Sequence, residues 1–253
     1  MLPADGFITP EWPVAASVKA VMTTRCGGVS LPPYNSFNLG DHVGDRAQDV
    51  AQNRELLAQR LALEGEVQWL SQQHTARVVR LGAGESSTGE VADGCYSDVA
   101  GVVCAVMTAD CLPVLICDQQ GREVAALHAG WRGLHAGVLE AGVAAFTAPP
   151  EQLIVWLGAA IGPAAFEVGG EVREAFIVRD AAAVAAFSAA PTAGKWFADI
   201  YLLARQRLEK LGVRAIFGGG ECTYSQPQRF FSYRRDGVTG RMASLIWLAP
   251  DHL

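Results

Sequence analysis

Apolar positions along the chain fall into short runs separated by glycine, proline and charged residues. The runs at 18–22, 67–70, 102–107, 113–117, 123–128, 154–157, 230–233 and 244–248 have the length and the Val, Ile, Leu, Phe and Cys content of strands. Between them, Val50, Leu56, Leu57 and Leu61 recur at helical spacing and predict an amphipathic helix over 47–63. Further helices are predicted over 133–146, ended by Pro149-Pro150, and over 171–178. A last one starts at an Asp199 N-cap and runs through 211, where Gly212 stops it. Gly27-Gly28, a polar loop over 34–44, the glycine-rich 158–163 and the Asp236-Gly237 turn punctuate the pattern. Strands and helices mix without a strict βαβ rhythm, which favours an α+β fold, a layered mixed α/β arrangement, over a parallel barrel. No repeat, low-complexity segment or convincing linker divides the chain, so residues 1–253 are expected to form a single domain.

Composition narrows the function classes. With 50% hydrophobic and 18% charged residues and a mean hydropathy of +0.18, the 253-residue chain has ample apolar mass for a large core and is not a disordered sequence. The net charge of −6 and pI near 5.4, without a Lys/Arg run, give no electrostatic footprint for nucleic acid. Every apolar run is interrupted before it reaches membrane-spanning length, so no membrane association is expected. The first residues lack the basic start and apolar stretch of a secretory signal, and a cytoplasmic location is the expectation. Cys26, Cys95, Cys104, Cys111, Cys117 and Cys222 are scattered without CxxC pairing and are expected to be largely reduced.

Candidate chemistry gathers at strand ends. His74 and His128 end predicted strands beside polar or glycine-containing loops, and Cys111 stands at a comparable point in Thr108-Ala109-Asp110-Cys111-Leu112-Pro113. One thiolate and two imidazoles would give a metal three protein ligands and leave a fourth position open, the pattern of a catalytic zinc. No short HxxxH-like spacing supports the set, and each residue also reads as an ordinary hydrogen-bonded histidine or a buried cysteine. Cys111 with His128 also reads as a thiolate–imidazolium pair for nucleophilic catalysis, without any accompanying G-x-S-x-G or cathepsin-like signature. Arg25, Arg132, Arg234 and Arg235 lie next to glycine turns or a helix start, where a guanidinium suits an anion such as phosphate. Trp131 and Tyr233 could stack on a flat ring, although core packing is the ordinary role of such aromatics. Gly218-Gly219-Gly220 reads as a surface turn, because no helix follows it as in a nucleotide-binding loop.

Taken in order, several segments resemble the YfiH family. They are Thr24-Arg25 with Gly27-Gly28-Val29-Ser30, Asn38-Leu39-Gly40, Gln73-His74, Met107 to Pro113, His128-Ala129-Gly130-Trp131-Arg132-Gly133, Gly158 to Pro163 and Phe231 to Asp236. Bacterial members of that family are called polyphenol oxidase, purine nucleoside phosphorylase or peptidoglycan editing factor. The resemblance covers nearly the whole chain. It implies a layered α+β fold and His74, Cys111 and His128 as zinc ligands and catalytic residues. It also implies phosphorolysis of adenosine, inosine, guanosine and methylthioadenosine, with adenosine deamination as a further activity.

Arg25, Asn38, Arg132 and Arg235 are the expected substrate contacts, a purine nucleoside and phosphate the expected small-molecule partners, and a monomer the expected state. Gln72-Gln73-His74-Thr75 departs from the family's usual Gln-Val-His-Gly while keeping the histidine, a change in local loop shape. A multicopper laccase centre needs more imidazoles than the five present, whereas a single copper at the same three residues is chemically allowed, with Met107 as an axial ligand. The alternatives to the phosphorylase are a copper-dependent polyphenol oxidase or a cysteine hydrolase at the same pocket, with a link to peptidoglycan precursor editing. A non-catalytic purine-binding protein is the alternative of another class.

Overall fold

The computed structural model describes residues 6–84 and 86–250. Its first half runs through β1 (Phe7–Ile8), β2 (Val18–Thr23), α1 (Ala47–Arg60), β3 (Val67–Gln68), β4 (Val78–Arg80), β5 (Gly94–Ser97), β6 (Val103–Thr108), β7 (Leu112–Asp118) and β8 (Val124–Ala129). There follow α2 (Trp131–Ala136), α3 (Val138–Ala144), β9 (Leu153–Leu157), β10 (Glu167–Gly169) and α4 (Gly170–Arg179). The remainder is β11 (Phe187–Ala189), β12 (Lys195–Ala198), α5 (Ile200–Lys210), β13 (Ala215–Gly218), α6 (Tyr233–Asp236) and β14 (Met242–Leu248). One sheet has the order β1-β2-β14-β6-β3, a second β13-β9-β7-β8-β5-β4, and a small third β10-β12-β11.

Side-chain alternation on the central strands turns the two large sheets into a layered stack. On β6, Cys104 and Val106 face the core between the sheets, while Val103, Ala105 and Met107 face a second core under α1. On β7, Leu115 and Cys117 join the inter-sheet core, whereas Leu112, Val114 and Ile116 pack toward α2, α3 and α5. Both central strands are therefore apolar on both faces, which is why they appear as nearly unbroken runs in the sequence. The order of layers is helix, sheet, sheet, helices, a mixed α/β single domain as expected. Among the described residues no helix is long and apolar enough to cross a membrane.

Two expected elements differ. The helix over 133–146 is two helices, because Gly137 adopts a left-handed φ of 113° that ends α2 and starts α3. The segment 230–233 is not a strand, since both edges of β14 are already occupied by β2 and β6. Phe230 and Phe231 instead plug the inter-sheet core, and Ser232 caps the one-turn α6 by accepting from the Arg235 amide at 3.2 Å. The three-residue β4 and the four-residue β5 and β13, the latter two carrying glycine, gave too weak a pattern to be expected.

Candidate metal centre

Strand register brings the three candidate ligands together. β7 and β8 pair antiparallel with Pro113 opposite His128 and Leu112 opposite Ala129, so Cys111, just before β7, faces Gly130, just after β8. A Cβ at Gly130 would lie 2.6 Å from His74 Cδ2 and 2.9 Å from Cys111 Sγ, so this position requires glycine. His74 arrives from the loop between β3 and β4 with a left-handed φ of 60°. Its Nε2 lies 3.6 Å from Cys111 Sγ, and its ring meets that of His128 edge-on at 4.8 Å between centroids. The ligand atoms of His74, Cys111 and His128 all lie within 4.8 Å of one another, the one such group of metal-binding side chains among the described residues.

Asp93 organises this group. It sits immediately before β5, and its backbone carbonyl accepts from the His128 amide at 2.7 Å while its carboxylate accepts from His128 Nδ1 at 2.7 Å. The same carboxylate accepts from the amides of Gln73, His74 and Thr75 at 3.2, 2.9 and 2.6 Å and from Thr75 Oγ1 at 2.8 Å. It thereby fixes the His74 loop and leaves His128 Nε2 free for a ligand, the carboxylate–histidine arrangement that orients metal-binding imidazoles. Gln72 adds a second clamp, giving Nε2 to Met107 O at 2.8 Å and taking Met107 N–H on Oε1 at 2.7 Å. Asp110, at φ 86°, shapes the turn into Cys111; its carboxylate accepts from Thr223 Oγ1 at 2.6 Å and the Arg234 amide at 2.7 Å.

The electrostatics favour ligation. Burial opposes charge on Asp93, but the bonds from His128 and Thr75 outweigh it and hold the carboxyl down at about 2. Burial likewise raises the Cys111 thiol, yet the neighbouring His128 and His74 bring it down to about 6. Burial lowers His128, and the Cys111 thiolate with Asp93 overcomes it and lifts the imidazole to about 9. Without a metal the pair is a thiolate and an imidazolium, and a cation can take the place of the imidazolium proton.

A cleft of about 590 Å³ opens over the three residues. Trp131, Ile161, Phe166 and Tyr233 form its apolar and aromatic wall; Arg132, Arg234 and Arg241 form a cationic one, and His42 stands at its edge. Of the expected substrate contacts, only Arg132 lines this cleft. Arg25 gives its guanidinium to Asn35 O and Pro227 O, both at 3.0 Å, and lies over the Phe231 ring. Arg235 is spent on Thr223 O, Tyr224 O and Phe230 O and on its neighbour Asp236. Asn38 is fully buried, bonded to Gly40, Asp45 and the Arg241 amide. These three brace loops of the chain, their polar groups bonded to backbone and side chains of other segments, and do not line the cleft. Asp93, Asp110 and Arg241 were not singled out as site residues from the sequence: Asp93 before Gly94 has the composition of a turn, Asp110 stands out only as a neighbour of Cys111, and an Arg at a strand start has that of a surface charge.

The layered fold and a two-histidine, one-cysteine group at a sheet edge define a candidate metal-binding enzyme domain. The family model described as multi-copper polyphenol oxidoreductase laccase matches residues 19–249, and the chain belongs to this family, of which the YfiH proteins are members. It is 57% identical over 242 residues to the Escherichia coli (strain K12) protein named purine nucleoside phosphorylase YfiH, covering 96% of this chain and 98% of that one. The crystal structure of the Neisseria meningitidis protein NMB0706 is 50% identical and superposes with a TM-score of 0.92 over 97% of this chain and 100% of that one. YlmD from Geobacillus stearothermophilus is 30% identical, with a TM-score of 0.91 over 99% of this chain and 98% of that one.

The donors do not fit the four-copper assembly that the family's description suggests. His135 packs edge-on against Phe176, away from the group, and among the described residues no second cluster of His, Cys, Asp and Glu exists to hold further ions. A single ion is what His74, Cys111 and His128 fit.

Proposed function

We propose that the chain is a zinc-dependent purine nucleoside phosphorylase that also deaminates adenosine. The near-full-length relative at 57% identity that carries the phosphorylase name is the observation that carries this reading. The cleft supports it, having the size of a nucleoside site, an aromatic wall for a purine and a cationic wall for phosphate. Adenosine, inosine, guanosine and methylthioadenosine are the proposed nucleosides, each split into a base and a ribose 1-phosphate.

In phosphorolysis a phosphate oxygen bonds to C1′ as the bond from C1′ to the purine nitrogen breaks, and the electron pair leaves on the base, which then takes up a proton. His74, Cys111 and His128 would hold Zn²⁺, whose open position would supply Lewis-acid charge to a substrate oxygen. The arginines of the cleft neutralise and orient phosphate. Trp131, Ile161, Phe166 and Tyr233 exclude water from the departing base and give it an apolar surface to stack on. Asp93 holds the proton on His128 Nδ1, so that the imidazole presents Nε2 to the ion. Adenosine deamination, in which water replaces the 6-amino group, is placed in the same cleft because zinc held by His and Cys is the apparatus of nucleobase deaminases.

A single-copper polyphenol oxidase is the second reading, favoured by the family's description. Oxygen consumption with a diphenol, measured beside phosphate-dependent inosine cleavage on zinc- and copper-loaded protein, separates the two. Cleavage by the zinc form without oxygen uptake supports the phosphorylase. Oxygen uptake by the copper form with no inosine cleavage in either would overturn it.

A further inference from the structure

Three arginines face the cleft, and their surroundings are unequal. Arg132 is exposed and lies over the Trp131 ring at 4.5 Å. Arg234 is exposed and gives Nη1 to Glu167 O at 2.8 Å. Arg241 is half-buried, and the fold is shaped around it. It directly precedes β14, whose Met242 pairs with Thr108 at the end of β6, so the register places it beside the Ala109–Cys111 turn. Its amide donates to Asn38 Oδ1 at 2.8 Å, and the same oxygen takes the Gly40 amide at 3.0 Å. A Cβ on Gly40 would come within 2.8 Å of Arg241 Cγ, and one on Gly240 within 2.9 Å of Asn38 Cβ.

Nη1 of Arg241 is held by Thr239 O at 3.0 Å and Gly240 O at 3.1 Å, while Nε and Nη2 have no acceptor among the described residues. No carboxylate lies within ion-pair distance of it among those residues. Asp110, on the neighbouring turn, spends its oxygens on Thr223 and the Arg234 amide. A half-buried guanidinium that is fixed by its stem, open along the Nε and Nη2 edge and without a carboxylate in ion-pair contact among the described residues, although Cys111 and Asp110 lie near enough to act on its charge, is built to receive an anion from the cleft.

We propose that Arg241 is the phosphate anchor of this cleft and that Asn38, with Gly40 and Gly240, is its positioning element. This assignment rests on the phosphorylase reading for its substrate, and on the geometry alone for its anion. Asn38 thus serves the substrate through Arg241 rather than by touching it.

The test uses the protein as isolated, with inorganic phosphate as the probe, and compares the wild type with R241Q, R241K, R132Q and N38A. Binding is followed by calorimetry and turnover by inosine cleavage, with melting curves checking that each variant is folded. R241Q is expected to raise the phosphate KM and the phosphate Kd by about ten- to hundred-fold, the loss of a charge-assisted bidentate contact, with the inosine KM within about two-fold. R241K, which keeps the charge and the stem, is expected to fall between the two, and R132Q to change the phosphate KM by less than R241Q. N38A is expected to move the phosphate KM in the direction of R241Q while sparing the inosine KM, a split that a general loss of stability would not produce. Added methylguanidine is expected to restore part of the phosphate affinity of a folded R241A variant.

An unchanged phosphate KM and Kd in both R241Q and R241K would overturn the assignment. A wild type that binds phosphate through Arg241 but does not cleave inosine would refute the phosphorylase reading and leave the anion site standing. A wild type that neither binds phosphate nor cleaves inosine would refute both.

Discussion

Replacing Asp93 by Asn changes one oxygen to an NH₂ group at the point where five donors converge. The amides of Gln73, His74 and Thr75, the Thr75 hydroxyl and His128 Nδ1 all aim at this carboxylate. Holding the carboxyl at about 2 instead of its ordinary 3.8 corresponds to about 2.5 kcal/mol in favour of the ionised form. The variant also turns two or more of these donors toward another donor, and a buried donor left without a partner costs roughly 1–3 kcal/mol. We therefore expect D93N to lose roughly 3–5 kcal/mol of stability, a fall in Tm of about 6–20 °C for a chain of this size. Metal affinity is expected to drop about ten- to hundred-fold, because the His74 loop and the His128 tautomer lose their common support.

Thermal melts at pH 7 and chelator competition for bound zinc measure both effects. The folded carboxyl is depressed, so its contribution is complete above pH 3.8 and lost as pH falls through about 2. The gap in stability between wild type and variant should therefore close at strongly acidic pH. A Tm within about 2 °C of wild type at pH 7 together with unchanged metal affinity would refute the reasoning.

Other expectations follow from the same geometry. G130A, which would push a methyl to within 2.6 Å of His74 Cδ2 and 2.9 Å of Cys111 Sγ, is expected to weaken zinc binding at least about ten-fold in chelator competition. Zinc binding at pH 7.5 should release close to one proton, since Cys111 titrates at about 6 and is already a thiolate while His128 titrates at about 9 and must give up its proton. Calorimetry in buffers of different ionisation enthalpy reads this directly, and no net release would contradict it. His128 is raised above its ordinary 6.5, so in the metal-free protein its pairing energy is complete below pH 6.5 and fades as pH rises through about 9, visible as a falling Tm. Cys104 and Cys117 are buried thiols pushed up by that burial, Cys117 to about 12, and should resist an aromatic disulfide reagent at pH 7.5. Cys111 of the metal-free protein should react first, and zinc should protect it.

Much of the sheet framework could be read in the sequence, because β6, β7, β8 and β9 are apolar on both faces and each lies within a residue or two of its expected bounds. The helix Ile200–Lys210 was equally legible: Asp199 caps it by accepting from the Leu202 amide at 2.9 Å. The misreadings share a cause in tertiary context. Phe230 and Phe231 have strand-like composition, yet β14, the strand that follows them, is paired on both sides by β2 and β6, and they fill the core instead.

In the site, the sequence pointed to the three residues with distinctive chemistry, His74, Cys111 and His128. Their support was invisible in it, because Asp93 reaches His128 only through the pairing of β5 with β8, and Arg241 reaches Cys111 only through β14 and β6. Arg25 and Arg235 show the converse. Their neighbouring glycine turns suggested ligand contacts, but carbonyls of other loops, Asn35 and Pro227 for Arg25 and Thr223, Tyr224 and Phe230 for Arg235, occupy their guanidinium groups.

The central claim, phosphate-dependent cleavage of a purine nucleoside at His74, Cys111 and His128, is tested most directly by following inosine in matched wild-type and C111S protein, with zinc content measured on the same samples. The account predicts hypoxanthine and ribose 1-phosphate in equal amounts from the wild type, only when phosphate is present, and the loss of both zinc and turnover in folded C111S. Hypoxanthine formed equally well without phosphate, or full turnover by C111S without zinc, would contradict it.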